Sequence, residues 1–106
     1  MNITSWAILP AKNEHALKTA LATIGPVAVS INAARKTFQL YSHGVYDDEK
    51  CSSDTVNHAM LAVGYTPDYW ILKNWWGDHW GENGYMNIRR NVNLCGIANY
   101  AAYAIV

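Results

Sequence analysis

Nowhere does this sequence hold an apolar run close to the roughly 20 residues of a membrane-spanning helix, so no helical span is expected within it. Its opening residues, Met1-Asn2-Ile3-Thr4-Ser5-Trp6, lack the basic and apolar regions of a secretion signal; if the protein is exported, its targeting segment belongs to a longer precursor. An excess of charge is missing too. Eight basic and eight acidic residues give a formal net charge of zero with no basic block, so neither nucleic acid nor a membrane is expected as a partner. There is no repeat, low-complexity tract or linker-like stretch, and 106 residues, 51% of them hydrophobic, suit one domain with a modest core. Cysteine is scarce and has no CxxC spacing. Cys51, in a polar turn, and Cys95, near the carboxyl end, fit one structural disulfide better than a redox pair or a zinc site; two free thiols of a cytosolic domain are the alternative.

What is present reads as one helix followed by many short strands. Asn13 is placed to cap a helix over residues 14–23; Leu17, Ala20, Leu21 and the following Ile24 recur at helical spacing, and Gly25-Pro26 stops it. Val27, Val29 and Ile31 then alternate with Ala28, Ser30 and Asn32, the period of a strand with one buried face. A short helical or turn segment is expected over residues 37–41. Residues 58–65, 69–73 and 85–89 are rich in β-favouring types and separated by Thr66-Pro67-Asp68 and by a glycine-bearing run, and residues 97–106 offer a last strand. The simplest architecture is α+β, one helix on a curved antiparallel sheet or partly closed barrel.

Two segments carry chemistry. Val56-Asn57-His58-Ala59 sets a histidine at the start of an apolar strand, and Lys73-Asn74-Trp75-Trp76-Gly77 sets an asparagine beside tryptophans. Together they supply a general base and a group to orient it, two thirds of a nucleophilic site, and neither cysteine looks free to be the nucleophile. Read singly, His58 is an ordinary strand-end histidine and Asn74 a turn residue. His15, His43 and His79 read as surface groups; a metal site from His43, Cys51 and His58 has no spacing to support it. Trp75, Trp76 and Trp80 could form an aromatic ligand platform, and Asn2-Ile3-Thr4 fits an N-glycosylation sequon.

In order as well as content these segments, with Trp80-Gly81-Glu82-Asn83-Gly84-Tyr85 and Cys95-Gly96-Ile97-Ala98, resemble the papain and cathepsin L group of cysteine proteases. The resemblance also takes in Gly25-Pro26-Val27-Ala28-Val29, Phe38-Gln39-Leu40-Tyr41 and Gly44-Val45-Tyr46, nearly the whole chain. It implies that residues 1–106 are the carboxyl-terminal half of such an enzyme, a mainly antiparallel, barrel-like α+β unit with one main helix. The nucleophilic cysteine would lie on a helix of a complementary amino-terminal half, with the cleft between; no Cys-Gly-Ser-Cys-Trp type signature occurs here.

By that resemblance His58 is the base, Asn74 its orienter and Trp76 the indole that shields their hydrogen bond, while Trp76 and Trp80 shape the cleft. Cys51 and Cys95 match the family's disulfide. A pocket for the second residue before the scissile bond is matched by Ser30, Val56 and Ala59 with Tyr100 at its base, where a tyrosine should shorten it and favour medium aliphatic side chains. Peptides or proteins are the implied substrates, no cofactor is implied, and the setting is lysosomal or secreted. Trp75 stands where the family usually has serine, which puts the packing around Asn74 in question. A homologue whose other half lacks the cysteine, and a free-standing β-rich binding module using the tryptophans, are the other readings; the residues encoded upstream would discriminate them.

Overall fold

The computed structural model describes residues 5–105. Asn2-Ile3-Thr4, with its sequon, and Val106 lie outside them. In chain order the elements are β1 (Ser5–Ile8), α1 (Glu14–Thr23), β2 (Val27–Ile31), α2 (Lys36–Gln39), β3 (Val45–Tyr46), β4 (His58–Tyr65), β5 (Tyr69–Lys73), β6 (Tyr85–Arg89) and β7 (Ala102–Ile105), with a single 3₁₀ turn at Leu94–Gly96. Among the described residues no helix is long and apolar enough to cross a membrane.

The helix α1 forms where its caps and period place it. Asn13 Oδ1 accepts the Ala16 N–H at 2.9 Å, satisfying one of the free donors of the first turn, and Leu17 and Ala20 are buried. Glu14 anchors this helix to the far end of the sheet: its carboxylate accepts from Trp70 Nε1 (2.8 Å), Asn91 N (2.9 Å) and Asn93 N (2.8 Å). Three donors on one carboxylate satisfy the indole N–H of Trp70, whose ring is fully buried.

Among the described residues seven strands form one sheet in the order β1-β7-β2-β4-β5-β6-β3, antiparallel except for β3 beside β6. The alternation in β2 does what its period predicts. Val27 pairs with Ala62 and Val29 with Met60, and all four are buried with Trp70, Leu72, Met86 and Ile88 on the core face. The intervening row, Ala28, Ser30, Ala59, Leu61, Lys73 and Tyr85, lies on the opposite face. The fold is thus α+β and mostly sheet.

Three boundaries differ from the sequence expectation. The last strand is Ala102–Ile105, not residues 97–106, because Asn93, Cys95 and Gly96 adopt positive φ (48°, 57° and 76°) and the Asn99 N–H turns back to Gly96 O at 3.0 Å. The helical turn α2 starts at Lys36. The two-residue strand β3 is too short to leave a period, and it exists because Val45 and Tyr46 pair with Asn87 and Ile88.

Cys51 and Cys95 are disulfide-bonded, with Cα atoms 5.0 Å apart, which settles the alternative of free thiols. Between β3 and β4, Asp48 accepts from Thr37 Oγ1 (2.6 Å), Arg35 Nε (3.0 Å) and Lys50 N (3.0 Å). The Thr37 hydroxyl, then the Arg35 guanidinium and the Lys50 amide, hold its carboxyl down at about 2. A depressed carboxylate adds stability that is complete above its unfolded value of about 3.9 and is lost as pH falls through about 2. Asp48→Asn is therefore expected to lower the urea midpoint near neutral pH, with the gap from the native protein narrowing below pH 4 and closing near 2. A gap independent of pH between 2 and 6 would show that the charge is not the cause.

Candidate active site

His58 opens β4 directly across from Ile31 of β2, and Asn74 follows the last residue of β5. The sheet brings together two side chains that stand 16 residues apart: His58 Nε2 lies 2.6 Å from Asn74 Oδ1. Which atom donates is fixed by the backbone. The Trp75 N–H points at the same Asn74 atom, 2.8 Å away, so that atom must be the oxygen and His58 Nε2 must carry the proton. The other ring nitrogen, Nδ1, accepts and donates nothing among the described residues.

Asn74 is held firmly. Its N–H donates to Gly84 O at 3.0 Å, and the residue is only 2% exposed. Its Nδ2 is buried without a partner, so the amide is held through its oxygen alone. Trp75, the departure from the family's serine, does not disturb this arrangement: its side chain is 61% exposed, with Lys73 Nζ 5.8 Å from its ring centre.

The pair stands beside an aromatic cluster. Trp76 lies 4.8 Å, centre to centre, from the His58 ring and is 41% exposed. Behind it Trp80 meets Trp76 edge to face at 5.3 Å and Phe38 stacks on Trp80 at 5.7 Å. The Trp80 indole N–H is shared between Phe38 O (3.2 Å) and Gln39 O (3.1 Å), so α2 fixes Trp80, Trp80 fixes Trp76, and Trp76 backs the imidazole. Gly81 is obligatory beside it. A Cβ there would sit 2.5 Å from Tyr85 O and 3.2 Å from the Tyr41 ring. The Tyr41 hydroxyl accepts from Asn87 N at 3.2 Å and bonds to Gly44 O, and burial pushes its pKa up to about 12.

The four pocket candidates are only partly gathered. Ser30 and Ala59 are direct partners between β2 and β4 on the face away from the core. The Val56 side chain packs on the backbone at Gly96, where an added Cβ would be 3.0 Å from its Cγ1. Tyr100 is 64% exposed and precedes Ala102, the β7 partner of Ala28. His15, His43 and His79 are exposed, and the sulfur of Cys51, in the disulfide, cannot join His43 and His58 as a metal ligand. Two residues take a supporting role that only the structure shows: Phe38, the sole phenylalanine of the chain, and Asn57, whose Oδ1 accepts the Ala33 N–H at 2.9 Å. Asn57 stands immediately before His58, and Phe38 carries no polar signal at all.

An imidazole bonded to an asparagine oxygen beside an indole is the geometry to set against known proteins. The family model for papain family cysteine proteases matches residues 1–105, and the chain belongs to that family. It is 51% identical over 100 residues to cathepsin K of Mus musculus, and 47% identical over 104 residues to a cathepsin L-like peptidase of Aedes aegypti. Those alignments cover 90% and 92% of this chain but only 30% and 31% of the relatives, so the chain spans about a third of their length. Among solved structures, digestive procathepsin L2 proteinase from Tenebrio molitor larval midgut superposes with a TM-score of 0.93 at 40% identity, over 100% of this chain and 35% of that one. A cysteine protease of Carica candamarcensis gives 0.90 at 34% identity, over 96% of this chain and 48% of that one.

Proposed function

We propose that the chain is the base-bearing, carboxyl-terminal half of a cysteine endopeptidase, completed by an amino-terminal half that carries the nucleophilic cysteine. The observation that supports this most directly is the 2.6 Å bond from His58 Nε2 to Asn74 Oδ1, which leaves Nδ1 unengaged. In this reading Nδ1 takes the proton of the incoming thiol, the imidazolium stabilises the thiolate, and the same proton later passes to the leaving amine. Asn74 keeps the ring in plane without adding charge, and Trp76 excludes water from the bond between them. Ser30, Val56, Ala59 and Tyr100 line the pocket for the second residue of the acyl side, which takes medium aliphatic side chains. Peptides and proteins are the substrates, and no metal or cofactor takes part. The buried disulfide supports an oxidising setting, lysosomal or secreted.

Without a thiolate, this machinery cannot form an acyl-enzyme. The purified chain is therefore expected to show no turnover of peptide amides, and the protein joined to its complementary half to turn them over and be silenced by a thiol-directed inactivator. Turnover by the chain alone, with the inactivator traced to Cys51 or Cys95, would overturn the assignment.

A further inference from the structure

Beyond His58, the turn from β2 into α2 faces the loop around Cys51 across a recess of about 450 Å³. Arg35, Lys36 and Lys50 line it with Asn32, Thr37 and Ser52, and no acidic residue does. One of the three cations is engaged, since Arg35 Nε bonds Asp48 Oδ2 at 3.0 Å; Lys36 and Lys50 are exposed and make no ion pair among the described residues. The two lysines thus have no direct ion-pair partner among the described residues, and the neighbouring Asp48 carboxylate is already held by Arg35, Thr37 and the Lys50 N–H.

A second observation points to a ligand. Asn32 is 7% exposed, and its Oδ1 accepts from Ala34 N (2.9 Å) and Asn57 Nδ2 (3.3 Å). The Ala34 N–H fixes the amide orientation, so the Asn32 Nδ2 is a donor, and it donates to nothing among the described residues. A nearly buried amide with a spare donor at the wall of a doubly cationic recess suits a carboxylate.

The recess also has a definite place along the cleft. On β2, Ser30 belongs to the acyl-side pocket, Ile31 lies across from His58, and Asn32 leads into the recess. At about 3.3 Å per residue, this order passes from the acyl side across the base to the leaving-group side. Both walls are pinned. Asn57 clamps the Asn32–Ala34 turn beside the base, and the disulfide holds Cys51, between Lys50 and Ser52, with its sulfur 3.4 Å from Asn32 O.

We propose that this recess binds the carboxylate of an aspartate or glutamate within the first three residues after the scissile bond, making acidic leaving-group sequences preferred substrates. This rests on the function proposed above. The test uses the complete protease and paired quenched-fluorescence peptides that differ only in carrying Glu or Gln at the second and third positions after the bond. Selectivity for the Glu peptide, as a ratio of kcat/KM values, is expected to be about tenfold, equivalent to ~1.4 kcal/mol, at low salt. It should shrink as salt screens the lysines and fall to about one in the Lys36→Gln, Lys50→Gln double variant. A ratio near one for the native enzyme, or one unchanged by the double substitution, overturns the subsite.

Titration of the protease, its catalytic thiol blocked, with the Glu and Gln leaving-group peptides keeps the two readings separable. Tighter binding of the Glu peptide that is lost in the double variant supports the recess even if no cleavage occurs, in which case the proposed activity fails and the subsite stands. Equal binding of the two peptides to the native protein overturns the subsite even if cleavage is vigorous.

Discussion

His58→Ala in the complete protease is expected to lower kcat/KM for a small peptide amide by at least about 10⁴-fold, with the circular dichroism spectrum unchanged. The fold should tolerate the change because His58 sits at the first position of β4, half-buried at the rim of the core. The chemistry should not, because no other group among the described residues shares the Asn74 oxygen with the Trp75 N–H and offers a free ring nitrogen. Asn74→Ala separates orientation from basicity. The imidazole keeps its proton-accepting nitrogen but loses its restraint, so the loss should be nearer 10²-fold, the scale of a misplacement of about 1 Å. It should also lower stability by about 1–3 kcal/mol, since the Trp75 N–H loses its acceptor near a buried site. Folded His58→Ala protein that cleaves at the native rate would refute the assignment of the base. Asn74→Ala losses equal to those of His58→Ala would show that the asparagine does more than orient.

The second large effect concerns stability. Cys51 and Cys95 close a loop of sequence separation 44, and in the chain-entropy account such a crosslink stabilises the folded state by about 4 kcal/mol. Against the roughly 5–15 kcal/mol of an ordinary domain, that is a large share. Cys51→Ala with Cys95→Ala should therefore lower the thermal midpoint by about 16–32 °C, at 4–8 °C per kcal/mol for a domain near 100 residues. Both alanines leave small voids and no buried hydroxyl, which suits positions as buried as these. A midpoint lowered by only a degree or two would show that packing around Leu94 and Ile97 holds this corner without the bond. Reduction should also loosen the wall of the recess that carries Lys50.

The two effects share one structural origin. Asn32 N bonds Cys95 O at 2.8 Å, Asn57 N bonds Ile31 O at 3.1 Å, and the Asn57 side chain ties the Asn32 turn to the residue before His58. The disulfide, His58 and the cationic recess thus hang on the end of β2. Displacement of that strand end would be felt at all three.

Local sequence was enough wherever a residue's neighbours in the chain set its conformation. The bounds of α1 follow from the Asn13 cap, the period of Leu17 and Ala20, and Gly25-Pro26, all within one helical segment. The buried row of β2 follows from a period of two. The ordered motifs carry the resemblance to the family and single out His58, Asn74 and the two cysteines. Local propensity failed at residues 97–101, where β-favouring types follow a turn whose left-handed residues lie beside the disulfide. The rest required the sheet. The pairing of β4 with β5, shifted between Ala62 and Gly64, decides that His58 meets Asn74. Packing around Phe38 decides that Trp76, not Trp75, covers them. Register and side-chain packing are properties of strands distant in sequence, with no trace in any one segment's period, so the chain could name the groups while only the tertiary structure could set their distances.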